Sequence, residues 1–190
     1  MKERGSDLNQ KIASRVREMR LAKNLSLENI ALTSGVSRSM ISLIERGESS
    51  PTAVVLDKIA AALGVSLAVL FEQADTATPS PANPLVRHID QPVWQDPASG
   101  YLRRNVSPPG LHLPLQIVEV IFPPRKKVSF DTAFRAAPLD EQVWVLEGII
   151  EITVGKVTHR LQQGDCLAIH LDSPITYYNP TRCTSRARWG

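Results

Sequence analysis

The hydrophobic rhythm of this chain changes once, and that change constrains the fold more than any single motif. Up to Phe71 apolar residues return every three or four positions; beyond Leu85 they alternate with polar ones. A spacing near 3.6 fills one stripe of a helix, whereas a spacing of two fills one face of a strand. Between the two lies QADTATPSPANP (73–84), with three prolines and no apolar period, which reads as an extended linker. Proline marks the same boundary: of 14, only Pro51 precedes residue 79. The chain therefore divides into residues 1–72, a linker 73–85 and residues 86–190, and its 190 residues suffice to bury a core.

In the first part Leu8, Ile12, Val16 and Met19 share one helical face. Ser26 is placed to cap a second helix that carries Leu27, Ile30 and Ala31 with Glu28 and Asn29 in its first turn. Ser37 caps a third with Ile41 and Ile44, ended by Gly47 and Pro51. Thr52 opens a fourth along Leu56, Ile59, Ala60 and Leu63, stopped by Gly64, and Ser66 opens a short fifth with Leu67, Leu70 and Phe71. The expectation is an all-α bundle of five helices.

The second part reads as an all-β sandwich or barrel. Residues 116–120, 150–154 and 157–161 alternate, with turns at Glu147-Gly148, Gly155-Lys156 and Gly164-Asp165. The segment AFRAAPLDEQVWVLEG (133–148) predicts a strand that carries one isolated carboxylate, Glu141. That glutamate is a metal ligand, a group that binds something else, or a surface residue.

Composition narrows the function classes. No apolar run is long enough to span a bilayer, and MKERGSDLNQ has no apolar core of a secretory signal. Cys166 and Cys183 form no CxxC and no disulfide framework, which fits reduced thiols in a cytoplasmic protein. The basic excess sits early: Leu8 to Arg46 holds seven basic residues against three acidic, while the chain past Glu72 holds 12 against 11. Such an excess acquires meaning only where a motif can present it to phosphate.

LENIALTSGVSRSMISLIERG supplies that motif. A small Ala31 permits close crossing of the next helix, Gly35 suits the positive φ of a tight turn, and Val36, Ile41 and Ile44 lock the second helix on the first. With SRSMISLIERGESSPT and LDKIAAALGVSLAVLF, residues 8–71 resemble the five-helix DNA-binding domain of the XRE family, related to lambda repressor and Cro. The resemblance implies a recognition helix starting near Ser37, with Arg38, Ser39 and Ser42 at base edges and Met40 at a thymine methyl. Arg38 is either bidentate to guanine or a phosphate contact; Ser37 and Arg17 or Arg20 are candidate phosphate contacts. Leu27 stands where many relatives place a bracing glutamine. The implied partner is a double-stranded DNA operator, bound by a homodimer.

VWQDPASGYLRRNVSPPG, LDEQVWVLEG, EITVGKVTHRLQQGD and GDCLAIHLDSPITYYNP, over residues 86–180, resemble XRE regulators that end in a cupin, a small jelly-roll barrel. Metal-binding cupins use a His-x-His pair, a glutamate and a third histidine. The matching positions here are Arg135, Ala137 and Ile175, so only Glu141 remains and no metal and no cofactor is expected. Arg135 either pairs with Glu141, holds an anionic effector or reaches solvent, and the expected effector group is Arg135, Glu141, Ile175 and Tyr177. Relatives continue with an apolar strand after Asn179-Pro180, whereas TRCTSRARWG is polar and basic. The sheet then either closes differently or lacks that strand. The expectation is a ligand-responsive, sequence-specific regulator and not an enzyme. A cupin dioxygenase or isomerase fused to a DNA-binding domain, and a cupin used only for dimerisation, are the alternatives.

Overall fold

The computed structural model describes residues 2–71, 83–111, 115–131 and 140–190, with side chains from Leu8 onward. The helical half contains α1 (Lys2–Ala22), α2 (Leu27–Ser34), α3 (Arg38–Glu45) and α4 (Ala53–Ala62). The expected fifth helix is instead a 3-10 turn over Leu67–Phe71. The five residues Leu67–Phe71 make little more than one turn, and i to i+3 geometry points Leu67 and Leu70 to the same side. Both are buried, with Phe71. Ser26, Ser37 and Thr52 cap α2, α3 and α4 through their side chains, as their positions predict.

A second 3-10 turn (His88–Asp90) leads into ten strands among the described residues: β1 (Val93–Gln95), β2 (Leu102–Asn105), β3 (Val118–Phe122), β4 (Lys127–Phe130), β5 (Asp140–Glu147), β6 (Ile149–Val154), β7 (Val157–Gln162), β8 (Cys166–His170), β9 (Ile175–Tyr178) and β10 (Ser185–Trp189). They form two antiparallel sheets, in the orders β1-β2-β3-β10-β5-β8 and β4-β9-β6-β7. Alternation puts Val118, Val120, Val143 and Val145 of the first sheet against Ile150, Ile152, Ile175 and Tyr177 of the second.

The polar C-terminus does not break the sheet. It supplies β10, which pairs with both β3 and β5. Ser185, Ala187 and Trp189 face inward while Arg186 and Arg188 face out. The ladder continues through Gly190, which exchanges backbone hydrogen bonds with Gln142 at 2.8 and 3.1 Å. A strand needs an apolar residue only at every second position, so an arginine-rich decapeptide satisfies it.

The two halves share one hydrophobic core. Aromatic rings run from Phe71 of the helical half to Trp94 (5.4 Å between centroids), Tyr101 (5.9 Å), Phe122 (5.3 Å), Tyr177 (6.3 Å) and Trp189 (4.7 Å). A buried carboxylate adds a polar tie. Asp96, between β1 and β2, accepts from the Ala53 N–H at the start of α4 (2.8 Å) and from the Ser99 N–H and hydroxyl (2.7 and 2.5 Å). Contact between the halves is therefore direct, where the sequence points only to a linker. Most of that linker, 73–82, lies outside the described residues.

Candidate nucleic-acid interface and barrel cavity

The pair α2–α3 is held by local chemistry. Ser26 and Asn29 form a reciprocal capping box. Gly35 takes φ +65° and donates its N–H to the Ala31 carbonyl at 3.0 Å. Nothing lies within 4 Å of where a Cβ would sit, so the backbone conformation alone favours glycine there. The buried Ser34 hydroxyl accepts from the Val36 N–H at 3.2 Å and completes the turn.

α3 is sharply two-faced. Ile41 and Ile44 are 0% and 1% exposed, whereas Ser37, Arg38, Ser39 and Met40 all face solvent at its first turn. The Ser37 hydroxyl accepts from the Met40 N–H (3.2 Å) and lies 3.2 Å from the Ser39 hydroxyl. Ser42 is half-buried and accepts a 2.6 Å hydrogen bond from Arg46, which also pairs with Glu48 at 2.8 Å. Arg17 is exposed on α1.

Arg20 requires a correction to its expected phosphate contact. It is 9% exposed; its Nε and Nη2 donate to the two Glu45 oxygens at 2.6 and 2.8 Å, and its Nη1 donates to the Leu25 carbonyl at 2.8 Å. Its hydrogen bonds to the Glu45 carboxylate hold the guanidinium above its usual pKa. With its fork filled, Arg20 braces α1 to α3 from within.

The second feature is a cavity of about 530 Å³ at the junction of the halves. Asp57, Ser66 and Leu67 line it from the helical side, and Arg103, Glu141, Ile175, Tyr177 and Trp189 from the barrel. This answers the question posed by Glu141: it is half-buried in the barrel interior and accepts a 2.5 Å hydrogen bond from the Tyr177 hydroxyl. Ile175 and Tyr177 are buried on the same face of β9. Arg135, the remaining expected effector group, lies outside the described residues.

Of the positions that match the cupin metal ligands, the described ones hold Glu141 and Ile175, and Ile175 offers no donor atom. Among the described residues no group of three or more His, Cys, Asp or Glu could hold an ion. His159 and His170, on adjacent strands in sequence, belong to different sheets. His170 is exposed and pairs with Asp140 at 2.6 Å, which raises its pKa.

Sequence reasoning missed Arg103 and Asp96. Arg103 is 5% exposed, and burial lowers its pKa, opposed by the fields of Tyr101, Glu141, Asp57 and Tyr177. A signal for it exists: in YLRRN, Tyr101 and Arg103 share parity, so the strand that buries the tyrosine must bury the first arginine too.

Three comparisons set this architecture among known proteins. A helix-turn-helix family, HTH_3, matches residues 16–70. The HTH-type transcriptional regulator SutR of Escherichia coli (strain K12) is 37% identical over 73 residues, 38% of this chain and 41% of that protein. The chain thus spans less than half the length of that relative. An uncharacterized HTH-type transcriptional regulator, y4dJ of Sinorhizobium fredii (strain NBRC 101917 / NGR234), is 35% identical over 69 residues, 36% of this chain and 90% of that protein. The crystal structure of an HTH_3 family transcriptional regulator from Vibrio cholerae is similar over 97% of this chain and 96% of its own, with TM-score 0.76 and 26% identity. With its turn glycine, capped α3 and matched helical half, this chain belongs to the HTH_3 helix-turn-helix family of transcriptional regulators.

Proposed function

We propose that this chain is a cytoplasmic, sequence-specific DNA-binding regulator that acts as a homodimer, with α3 entering the major groove and a cupin-type barrel sensing a small molecule. One observation carries the DNA reading: the first turn of α3 presents Ser37, Arg38, Ser39 and Met40 to solvent while its opposite face is sealed by Ile41 and Ile44. A recognition helix needs that division, since its N-terminal residues meet base edges and its back must not move. Arg38 is the group suited to guanine O6 and N7, and Arg17 and Ser37 to phosphate.

Two copies are needed because one module makes few contacts; a dimer places two such helices on one DNA face, roughly 34 Å apart. The barrel offers surface for it: Trp144 is 46% exposed on the outer face of β5, beside edge strand β8. The sensing role is supported by the cavity, whose walls come from both halves. The alternative as a metal-dependent cupin enzyme is disfavoured by the donor set, with Ile175 at the place of the third histidine.

The test is selection of bound sites from random DNA, followed by Arg38→Ala. A direct base contact predicts weakening concentrated at one base position, by about 1–3 kcal/mol. Equal weakening on all sequences assigns Arg38 to phosphate. Unchanged binding by a folded Arg38→Ala, Ser39→Ala, Met40→Ala triple variant would overturn the recognition-helix assignment.

A further inference from the structure

Two residues that line the cavity carry a buried nitrogen donor with no acceptor among the described residues. Arg103 Nε and Trp189 Nε1 are both buried, and neither hydrogen-bonds to any described residue. A buried polar group without a partner is uncommon enough to demand an explanation. The case of Arg103 is sharper because its group is charged, and an ionised side chain removed from water is costly unless something of opposite sign meets it. The fields of Glu141 and Asp57 act on it, but its Nε has no hydrogen-bond acceptor among the described residues, and its guanidinium carbon lies over the Phe71 ring at 5.3 Å and the Trp189 ring at 6.0 Å. Those faces hold and orient the cation without consuming its N–H groups.

We propose that the cavity binds a small organic monocarboxylate, held by the Arg103 guanidinium and the Trp189 indole N–H, with its apolar body against Leu67, Phe130 and Ile175. A planar carboxylate supplies acceptors to a guanidinium fork that is already fixed between two rings. A single charge fits better than the double charge of a phosphate ester, because Asp57 and Glu141 line the same space. A volume of about 530 Å³ suits a metabolite-sized molecule with such a body.

The placement carries a regulatory consequence. Ser66, Leu67 and Ala68 line the cavity from the helical half, and Phe71, one ring of the Arg103 sandwich, also belongs to it. A ligand there contacts both halves and binds only their docked arrangement, so it stabilises that arrangement by its differential affinity. This site deepens the sensor part of the functional reading and rests on it, independently of the DNA-binding part.

The experiment uses the full chain and a panel of aliphatic and aromatic monocarboxylic acids, each with its primary amide, together with inorganic phosphate. Melting temperature and tryptophan fluorescence report binding, and Trp94, Trp144 and Trp189 all lie in the β half. The expected result is that acids raise the melting temperature and amides do not, with phosphate without effect. Arg103→Met should weaken acid binding by at least about tenfold, while the unliganded variant melts no lower than the parent. Trp189→Phe, which keeps the ring and removes the N–H, should weaken it several-fold and provides the test if Arg103→Met fails to fold. Absence of binding across the panel, equal binding of amides, or full affinity in either folded variant overturns the proposal. A carboxylate that binds without changing operator affinity overturns the sensor role and leaves the site; DNA binding with no carboxylate bound does the reverse.

Discussion

Replacing Asp96 with alanine removes the polar tie between the halves, and its cost can be worked from three distances. The carboxylate is 2% exposed and accepts from Ala53 N–H at 2.8 Å, Ser99 N–H at 2.7 Å and the Ser99 hydroxyl at 2.5 Å. A hydrogen bond to a charged acceptor contributes about 1.5–3 kcal/mol, and a buried N–H left without one costs a similar amount. Its place at the N-terminus of α4 adds roughly 0.3–1 kcal/mol through the helix dipole. The three bonds share one carboxylate and are not additive, so Asp96→Ala should cost about 3–5 kcal/mol in total. About half of that belongs to α4, and it is the half that separates the domains. Urea denaturation followed by two probes reads this directly, because the tryptophans lie only in the β half while ellipticity at 222 nm is dominated by the helices. In the parent the shared core should make the two transitions coincide. In the variant the helical transition should move to lower urea and part from the fluorescence transition. A loss under about 1 kcal/mol with coincident curves would show that water replaces the carboxylate and that docking does not depend on it.

Three further outcomes are expected. Gly148→Ala should cost about 3 kcal/mol in thermal melts, since φ is +81° and a Cβ would lie 2.5 Å from Ser185 Oγ and 3.1 Å from its Cα; Gly35→Ala, with φ +65° but open space, should cost only about 1 kcal/mol. Glu45→Gln should lose about 3 kcal/mol by chemical denaturation because Arg20 stays buried without its counter-charge, and joint replacement by Arg20→Met and Glu45→Leu should recover most of it. In an NMR titration His170 should show a midpoint above the ordinary value of about 6.5, owing to Asp140, and Asp140→Asn should bring it back. Because the folded-state pKa is raised, the stability from this pair is fully present below about pH 6.5 and lost as pH rises through the raised midpoint.

The helical half was largely legible because its determinants are local. Ser26, Ser37 and Thr52 cap helices through bonds to residues three positions on, and Gly35 answers to its own φ. The apolar stripe of α1 and the exposed turn of α3 follow from spacing alone. The 3-10 form of Leu67–Phe71 was not legible, since one turn satisfies either helix type. β10 was hidden by its arginines, although parity in SRARW contains the signal.

What the amino-acid order determined by itself is the division into a helical and a β half, the helix-turn-helix, and which faces of most elements turn inward. These rest on period and capping, which act within a few residues. Only the tertiary structure decided that Arg20 faces Glu45 and not solvent, that Asp96 caps a helix 43 residues before it, and that Arg103 sits between Phe71 and Trp189 in the wall of a cavity. The physical reason is the same in each case. The worth of a buried charge is set by its partners, and those partners come from distant parts of the chain that only packing brings together.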